Sequence, residues 1–262
     1  MLRYLRLYAH FVRFSMSKAF EFRLDFFFRV FMDFAYYGIQ IGFYQVVFLQ
    51  TGLLGGWDRN QTLVFMGGYL VVDAISMTLF SNNLWWFPVA VNRGDLDYYL
   101  VRPVSSLFFL SLRDFAANSF INLVFAAGIL WWAVARLPIL PGPGMIALFL
   151  AMLGIGAVLH YLIHLLTLLP VFWLQSGSSL HGIFYSLGRC MERPDGIFTG
   201  WVRRLLVSVV PFCLMASFPA RVLLEGPGWG ILLHFSAVTA GVFGVILLIW
   251  NRGMRAYSSA SS

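Results

Sequence analysis

The residues able to do chemistry in this sequence are few and mostly isolated. Asp73 stands in an apolar run beside Val71, Val72 and Ile75, and an ionisable group in such a setting needs a physical reason. Two readings stand: it faces a polar translocation path, or it is held neutral or hydrogen-bonded by a neighbouring helix. His160 and His164 share one helix face at i,i+4, but no acidic residue beside them completes an HExxH-like set. They read as polar residues facing a bundle interior or an aqueous path, and with Asp73 they are the candidate translocation-path residues. Asp25, Arg29 and Asp33 recur every four residues with alternating sign, which predicts a structural ladder of charges that neutralise one another. Cys190 and Cys213 form no CxxC pair, and no GxSxG elbow occurs. Neither a catalytic set nor a metal site is expected. The one lysine, Lys18, is followed by Ala19, so no P-loop can form and any ATP-driven work needs a separate subunit.

Asp95 and Asp97 belong to a more specific feature, the stretch NRGDLDYYLVRPVSS at 92–106. Gly94 permits a sharp bend and Asp95 suits an N-cap. Leu96, Tyr99 and Leu100 can form one apolar helical face, and Pro103 ends the unit. The result is a short amphipathic helix between Arg93 and Arg102. It suits docking to a partner protein, or resting on the membrane surface.

The elements around these residues are set by composition. Of 262 residues, 60% are hydrophobic, 18% aromatic and 11% charged, and mean hydropathy is +0.79. A soluble domain carries about a quarter charged residues, so lipid must be this chain's solvent. A bilayer core of about 30 Å needs roughly 20 helical residues per crossing. Segments at about 26–50, 61–81, 114–135, 145–174 and 229–250 meet that requirement, and 176–226 holds at least one more crossing with ambiguous limits. Breaks at 51–60, 137–144 and 224–230 are rich in Gly and Pro. No repeat or linker divides the chain, so 1–262 reads as one membrane domain of all-α class with six transmembrane helices. Gly38 and Gly42 form a GxxxG pair, a signal of close helix packing within the bundle or against a partner.

Residues 1–22 read as an interfacial helix. Arg3, Arg6, His10, Arg13 and Ser17 gather on one side, with Leu5, Tyr8, Phe11, Val12, Met16 and Ala19 toward the other. A helix packed on the domain in solvent is the alternative. The net charge of +7 lies between apolar runs rather than in one tract, which argues for charge orientation in a bilayer and against nucleic acid. With both termini cytoplasmic and a crossing at 205–222, Arg59, Arg136 and Arg221 are the only ones of 18 basic residues left outside.

The loop GDLDYYLVRP at 94–103, the end WNRGMRAYSSAS at 250–261 and the phrase RPDGIFTGWVRRLLVSVVPFCLMASFPARVLL at 193–224 together resemble the type-2 ABC transporter permeases. The likeness is to their six-span branch, encoded in pairs beside an ATPase. It runs along essentially the whole chain in length and order. It implies a permease subunit of an ATP-binding cassette transporter in the bacterial cytoplasmic (inner) membrane, commonly an exporter. ATP and Mg would sit in partner ATPase subunits, with a second permease, identical or different, completing the path. Arg93, Gly94, Asp95, Leu96, Asp97, Tyr98, Tyr99, Leu100, Arg102 and Pro103 would be the coupling helix within a cytoplasmic region at 82–113. Residues 1–22 would be the elbow helix. The resemblance also implies a fifth crossing near 172–192 and a re-entrant hairpin within 193–226. Pro211 and Pro219 favour that version, and the charge count favours a crossing at 205–222. The alternative function is an ion-gradient-driven transporter or channel with Asp73 and the histidines as a relay. A lipid-modifying membrane enzyme lacks a convergent catalytic set.

Overall fold

The computed structural model describes residues 2–21, 23–101, 105–174 and 177–257. Arg102, Pro103 and the final residues of the C-terminal motif lie outside them. Among the described residues the chain is helical, joined by turns and loops. Helix α1 (Leu2–Glu21) precedes α2 (Arg23–Gln50), and α3 (Arg59–Ser76) continues through a π-helical turn, Met77–Ser81, into α4 (Asn82–Arg93). A single turn, α5 (Asp97–Leu100), leads to α6 (Ser106–Leu112) and α7 (Ala117–Val134). Next come α8 (Pro143–Leu168), α9 (Val171–Leu174) and α10 (Gly177–Gly188). The chain ends in α11 (Gly200–Ser208), α12 (Leu214–Glu225) and α13 (Trp229–Ala256).

Helix α3 is the centre of the bundle, packed on α7, α8 and α12. Leu63, Val64, Phe65, Met66, Leu70 and Val72 are buried all round it, the pattern of a helix enclosed on every side. Its start is fixed by a capping box in which Asp58 accepts from the Gln61 N–H and the Gln61 side chain accepts from the Asp58 N–H. Gly67 lets α7 approach, since a Cβ there would stand 2.8 Å from the Leu130 Cα.

Among the described residues, four continuous stretches are long and apolar enough to cross a membrane: Arg59–Arg93, Ala117–Val134, Pro143–Leu174 and Trp229–Ala256. The protein is therefore an all-α polytopic membrane protein. At 28 residues α2 spans about 42 Å, ample for a crossing, although its polar residues dilute its hydropathy. Residues 177–225 are the exception. Helices α10, α11 and α12 hold 12, 9 and 12 residues, about 18, 14 and 18 Å, each short of a 30 Å core. The run 205–222 is not one crossing helix, because the chain breaks between Ser208 and Leu214.

The second span does not stop near residue 81. Asn82 and Asn83 lower the local hydropathy, yet the helix runs on for another twelve residues. The π turn frees the Thr78 carbonyl, which accepts from the Ala116 N–H at 2.9 Å, and the Asn83 amide pairs with both backbone groups of Asp114 at 2.8 Å. Trp85 and Trp86 stand exposed on this extension, as aromatic residues do at a membrane interface.

Candidate functional site

The stretch after α4 forms a compact platform. Gly94 adopts the left-handed conformation (φ 79°, ψ 6°) that ends α4, a geometry costly for other residues. The chain turns straight back into helix at Leu96, so Asp95 is not the N-cap: the capping position is Leu96, in right-handed helical conformation, with no side-chain cap. An extended residue is what an Asp cap needs, and this tight turn supplies none. Leu96 is 0% exposed in an apolar cluster with Leu84, Phe87, Leu165 and Trp250. Tyr99 is half-buried, stacked obliquely on Phe109 at 5.1 Å, with its hydroxyl accepting from Arg113. Leu100 departs from the expected apolar face. It is exposed, together with Tyr98 at 69% and Val101 at 83%. Leu96 anchors the turn, and three apolar or aromatic side chains project from it.

Helix α1 braces this platform from outside. Tyr4 meets Phe108 edge-on at 4.8 Å, Phe11 meets Phe109 at 5.2 Å, and the Ser15 hydroxyl accepts from the Phe115 N–H at 3.1 Å. Arg3, Arg6, His10 and Arg13 remain exposed on its other side. The end of α13 closes the opposite flank. A Cβ on Gly253 would lie 2.4 Å from the Phe172 ring, and that ring meets both Trp250 and Tyr257. Burial pushes the Tyr257 phenol up, and the carboxylates of Asp97 and Asp95 push it the same way, so this tip of α13 lies beside the turn.

The other sequence candidates separate into distinct places. His160 and His164 are buried between α8 and α10, where His164 stacks on Phe184 at 3.8 Å and lies 3.4 Å from the His181 ring nitrogen. Asp73 is half-buried and lies within electrostatic reach of Asp33 and Glu192 instead. The charge ladder on α2 is only half formed. Arg29 pairs with Asp25 at 2.8 Å on an exposed face, whereas Asp33 turns inward to accept from Asn122 of α7. Nearby, Glu192 accepts from Tyr36 and Gln40, both at 3.3 Å, and Tyr36 shares a 2.8 Å hydrogen bond with Tyr69.

Glu192 and Asn122 gave no local signal of this arrangement, since their partners lie far away in sequence. Asp195 is another such residue. Its fully buried carboxylate sits between Arg203 and Arg221 beside the loop that joins α2 to α3. Among the described residues, no group of three or more His, Cys, Asp or Glu is placed to hold a metal ion. An open apolar groove of about 360 Å³ lies between α2 and α7, lined by Ile41, Phe125, Gly128 and Trp132 among others.

No curated protein and no solved structure matches the chain. A family model described as ABC-2 family transporter protein matches residues 34–261, taking in the platform after α4, Asp73 and Glu192, and the whole of α13. With that match covering most of its length, the chain belongs to the ABC-2 family of transporter proteins.

Proposed function

We propose that this permease is the membrane-spanning subunit of an ATP-driven exporter, coupled through the turn at 93–103 to separate ATPase subunits that hold ATP and Mg. The observation that carries the reading is the platform: Leu96 fixes the turn rigidly to the bundle while Tyr98, Leu100 and Val101 project outward. Apolar side chains displayed on an anchored turn suit insertion into a groove on a partner protein. With one lysine, and that one outside any P-loop, the chain must take its energy from such a partner. ATP binding would move the groove, the groove would move the turn, and the bundle would switch between inward- and outward-facing states.

A second permease completes the assembly in this reading. Gly38 and Gly42 are exposed on α2, with nothing of this chain within 4 Å of a Cβ at either position, so their close-packing surface is unused internally. Residues 193–226 form a re-entrant hairpin in this reading: α11 and α12 are each too short to cross, and Pro211, Phe212 and Cys213 at their irregular junction are buried in protein, as backbone at membrane depth requires. On the same reading the fifth crossing lies near 172–192, with α9 and α10 both contributing, both termini are cytoplasmic and the membrane is a bacterial inner membrane. The gradient-driven alternative needs Asp73 and the histidines in one relay. Their separation into two clusters gives it less support.

Co-expression with the neighbouring ATPase gene product tests the proposal. The ATPase co-purifies with the wild-type chain, and Val101→Asp abolishes transport-linked ATP hydrolysis while the permease remains folded. An ATPase that never travels with the chain, or full hydrolysis coupling in Val101→Asp, overturns it.

A further inference from the structure

We propose that Asp33, Asp73 and Glu192, together with Tyr36 and Tyr69, form a binding site for an organic cation carried by this permease, an inference that rests on the permease reading above. Asp33 stands one turn before Tyr36 on α2, Asp73 stands one turn after Tyr69 on α3, and the Tyr36 hydroxyl reaches both Tyr69 at 2.8 Å and Glu192 at 3.3 Å, so the three carboxylates gather about that hydroxyl pair. Carboxylates at membrane depth are costly unless something offsets their charge. The neighbouring basic groups stand at the margins. Arg29 feels Asp33 but is paired with Asp25 at 2.8 Å, and Arg193 is exposed. The polar groups that do reach the carboxylates are neutral: Tyr36 and Gln40 on Glu192, and Asn122 on Asp33.

Asn122 supplies an independent observation. The residue is 1% exposed, its Nδ2 is committed to Asp33, and its Oδ1 is buried with no hydrogen-bond partner. A buried acceptor left unpaired beside a carboxylate lacks a donor, and a donor carrying positive charge satisfies both. The aromatic rings then set the class of cation. Tyr36 and Tyr69 bring their phenols together beside Glu192, and Tyr185, half-exposed on α10, also feels Asp73. Tyrosine faces attract cations and pack against apolar bodies. An ammonium or phosphonium centre with aromatic or alkyl substituents fits these requirements.

The test uses the permease purified with its ATPase and the probe tetraphenylphosphonium, with tetraphenylborate as the anion of like size. The wild-type complex binds the cation saturably and the anion does not. Losing one charge partner in Asp73→Asn or Glu192→Gln weakens cation binding by about tenfold, whereas Asp73→Glu retains it. Melting curves taken on the same samples show which variants are folded. Should Asp73→Asn not fold, Glu192→Gln, at the edge of the cluster, carries the comparison. Absence of saturable cation binding in the wild type, equal binding of the anion, or unchanged binding in folded neutralised variants overturns the cation site. Co-purifying ATPase in those preparations reports separately on the permease reading, which stands or falls on its own.

Discussion

The carboxylate of Asp195 is completely buried and accepts two hydrogen bonds from Arg221, twenty-six residues on, at 2.9 and 3.2 Å. Arg203 adds bonds of 2.6 and 3.0 Å to the same carboxylate, and the Ser217 hydroxyl accepts from the Asp195 N–H at 3.1 Å. Arg221 reaches on to Glu225, and Glu225 also accepts from the Trp57 ring nitrogen at 3.4 Å. One buried carboxylate thus ties α11, α12 and the loop after α2 into a single unit.

The two arginines are not equivalent. The Arg221 side chain is 20% exposed and that of Arg203 is 44% exposed. Removing the shared carboxylate leaves Arg221 with Glu225 as its ionic partner, so Asp195→Ala is expected to cost about 2–3 kcal/mol of stability, below the roughly 3–5 kcal/mol of a buried charge left with no partner. Arg203→Ala leaves the Arg221 pair intact and should cost no more than about 1 kcal/mol. Thermal melting of the purified protein in detergent ranks them. Equal losses for both variants would refute the asymmetry.

Two glycines on α8 make a sharper comparison. A Cβ on Gly156 would lie 2.6 Å from the Met215 carbonyl oxygen, while one on Gly154 meets nothing within 4 Å. Backbone of α12 cannot yield as a side-chain tip can. Gly156→Ala is expected to destabilise by about 1–3 kcal/mol through overpacking. Gly154→Ala should be neutral or slightly favourable in the helix interior. Melting temperatures of the two alanine variants decide it, and a tolerant Gly156 would mean that α12 does not dock on α8 at this closeness.

What the sequence made legible was local. The apolar run at 61–81 announced a helix of membrane length, and Gly94 announced the bend after α4, because both signals are written in adjacent residues. The ends of the second span were not legible, since Asn82 and Asn83 look like loop residues until the Asp114 backbone, thirty-one residues away, takes up the Asn83 amide. The ladder on α2 failed at Asp33 for a similar reason. Helical spacing put it near Arg29, but Asn122 on α7 offered a hydrogen bond in the protein interior. Asp95 looked like a cap by residue type, and the tight left-handed turn left it no extended conformation in which to act. Periodicity reports which face a residue occupies on its own helix, not which distant group meets it there.

The turn at 94–101 separates anchoring from display. Leu96→Ala removes a side chain that is 0% exposed and is expected to cost about 2–5 kcal/mol. Val101→Asp alters an exposed side chain and should leave stability within about half a kcal/mol of wild type. If the turn couples to an ATPase as proposed, the order reverses in the complex, and Val101→Asp is the variant that loses ATPase stimulation. Hydrolysis and melting measured on the same preparations separate the two. A Val101→Asp protein that melts early would show that the turn is packed, not displayed.

Gly38 and Gly42 allow the paired assembly to be tested without disturbing the chain itself. Both lie on an exposed face of α2, flanked by Phe31, Ile39, Val46 and Leu49, which are exposed as well. A leucine at either glycine meets no atom of its own chain at the Cβ, and leucine favours helix more than glycine does. Gly38→Leu with Gly42→Leu should therefore fold and melt like the wild type, or slightly higher. If this face is where a second permease packs, two bulky side chains at the point of closest helix approach will hold the partner away. The doubly substituted protein is then expected to run at the mass of one permease by light scattering with detergent subtracted, where the wild type runs as two. Retention of the pair would move the interface off α2. Loss of the pair with unchanged melting would place it there, because nothing inside the chain explains that combination.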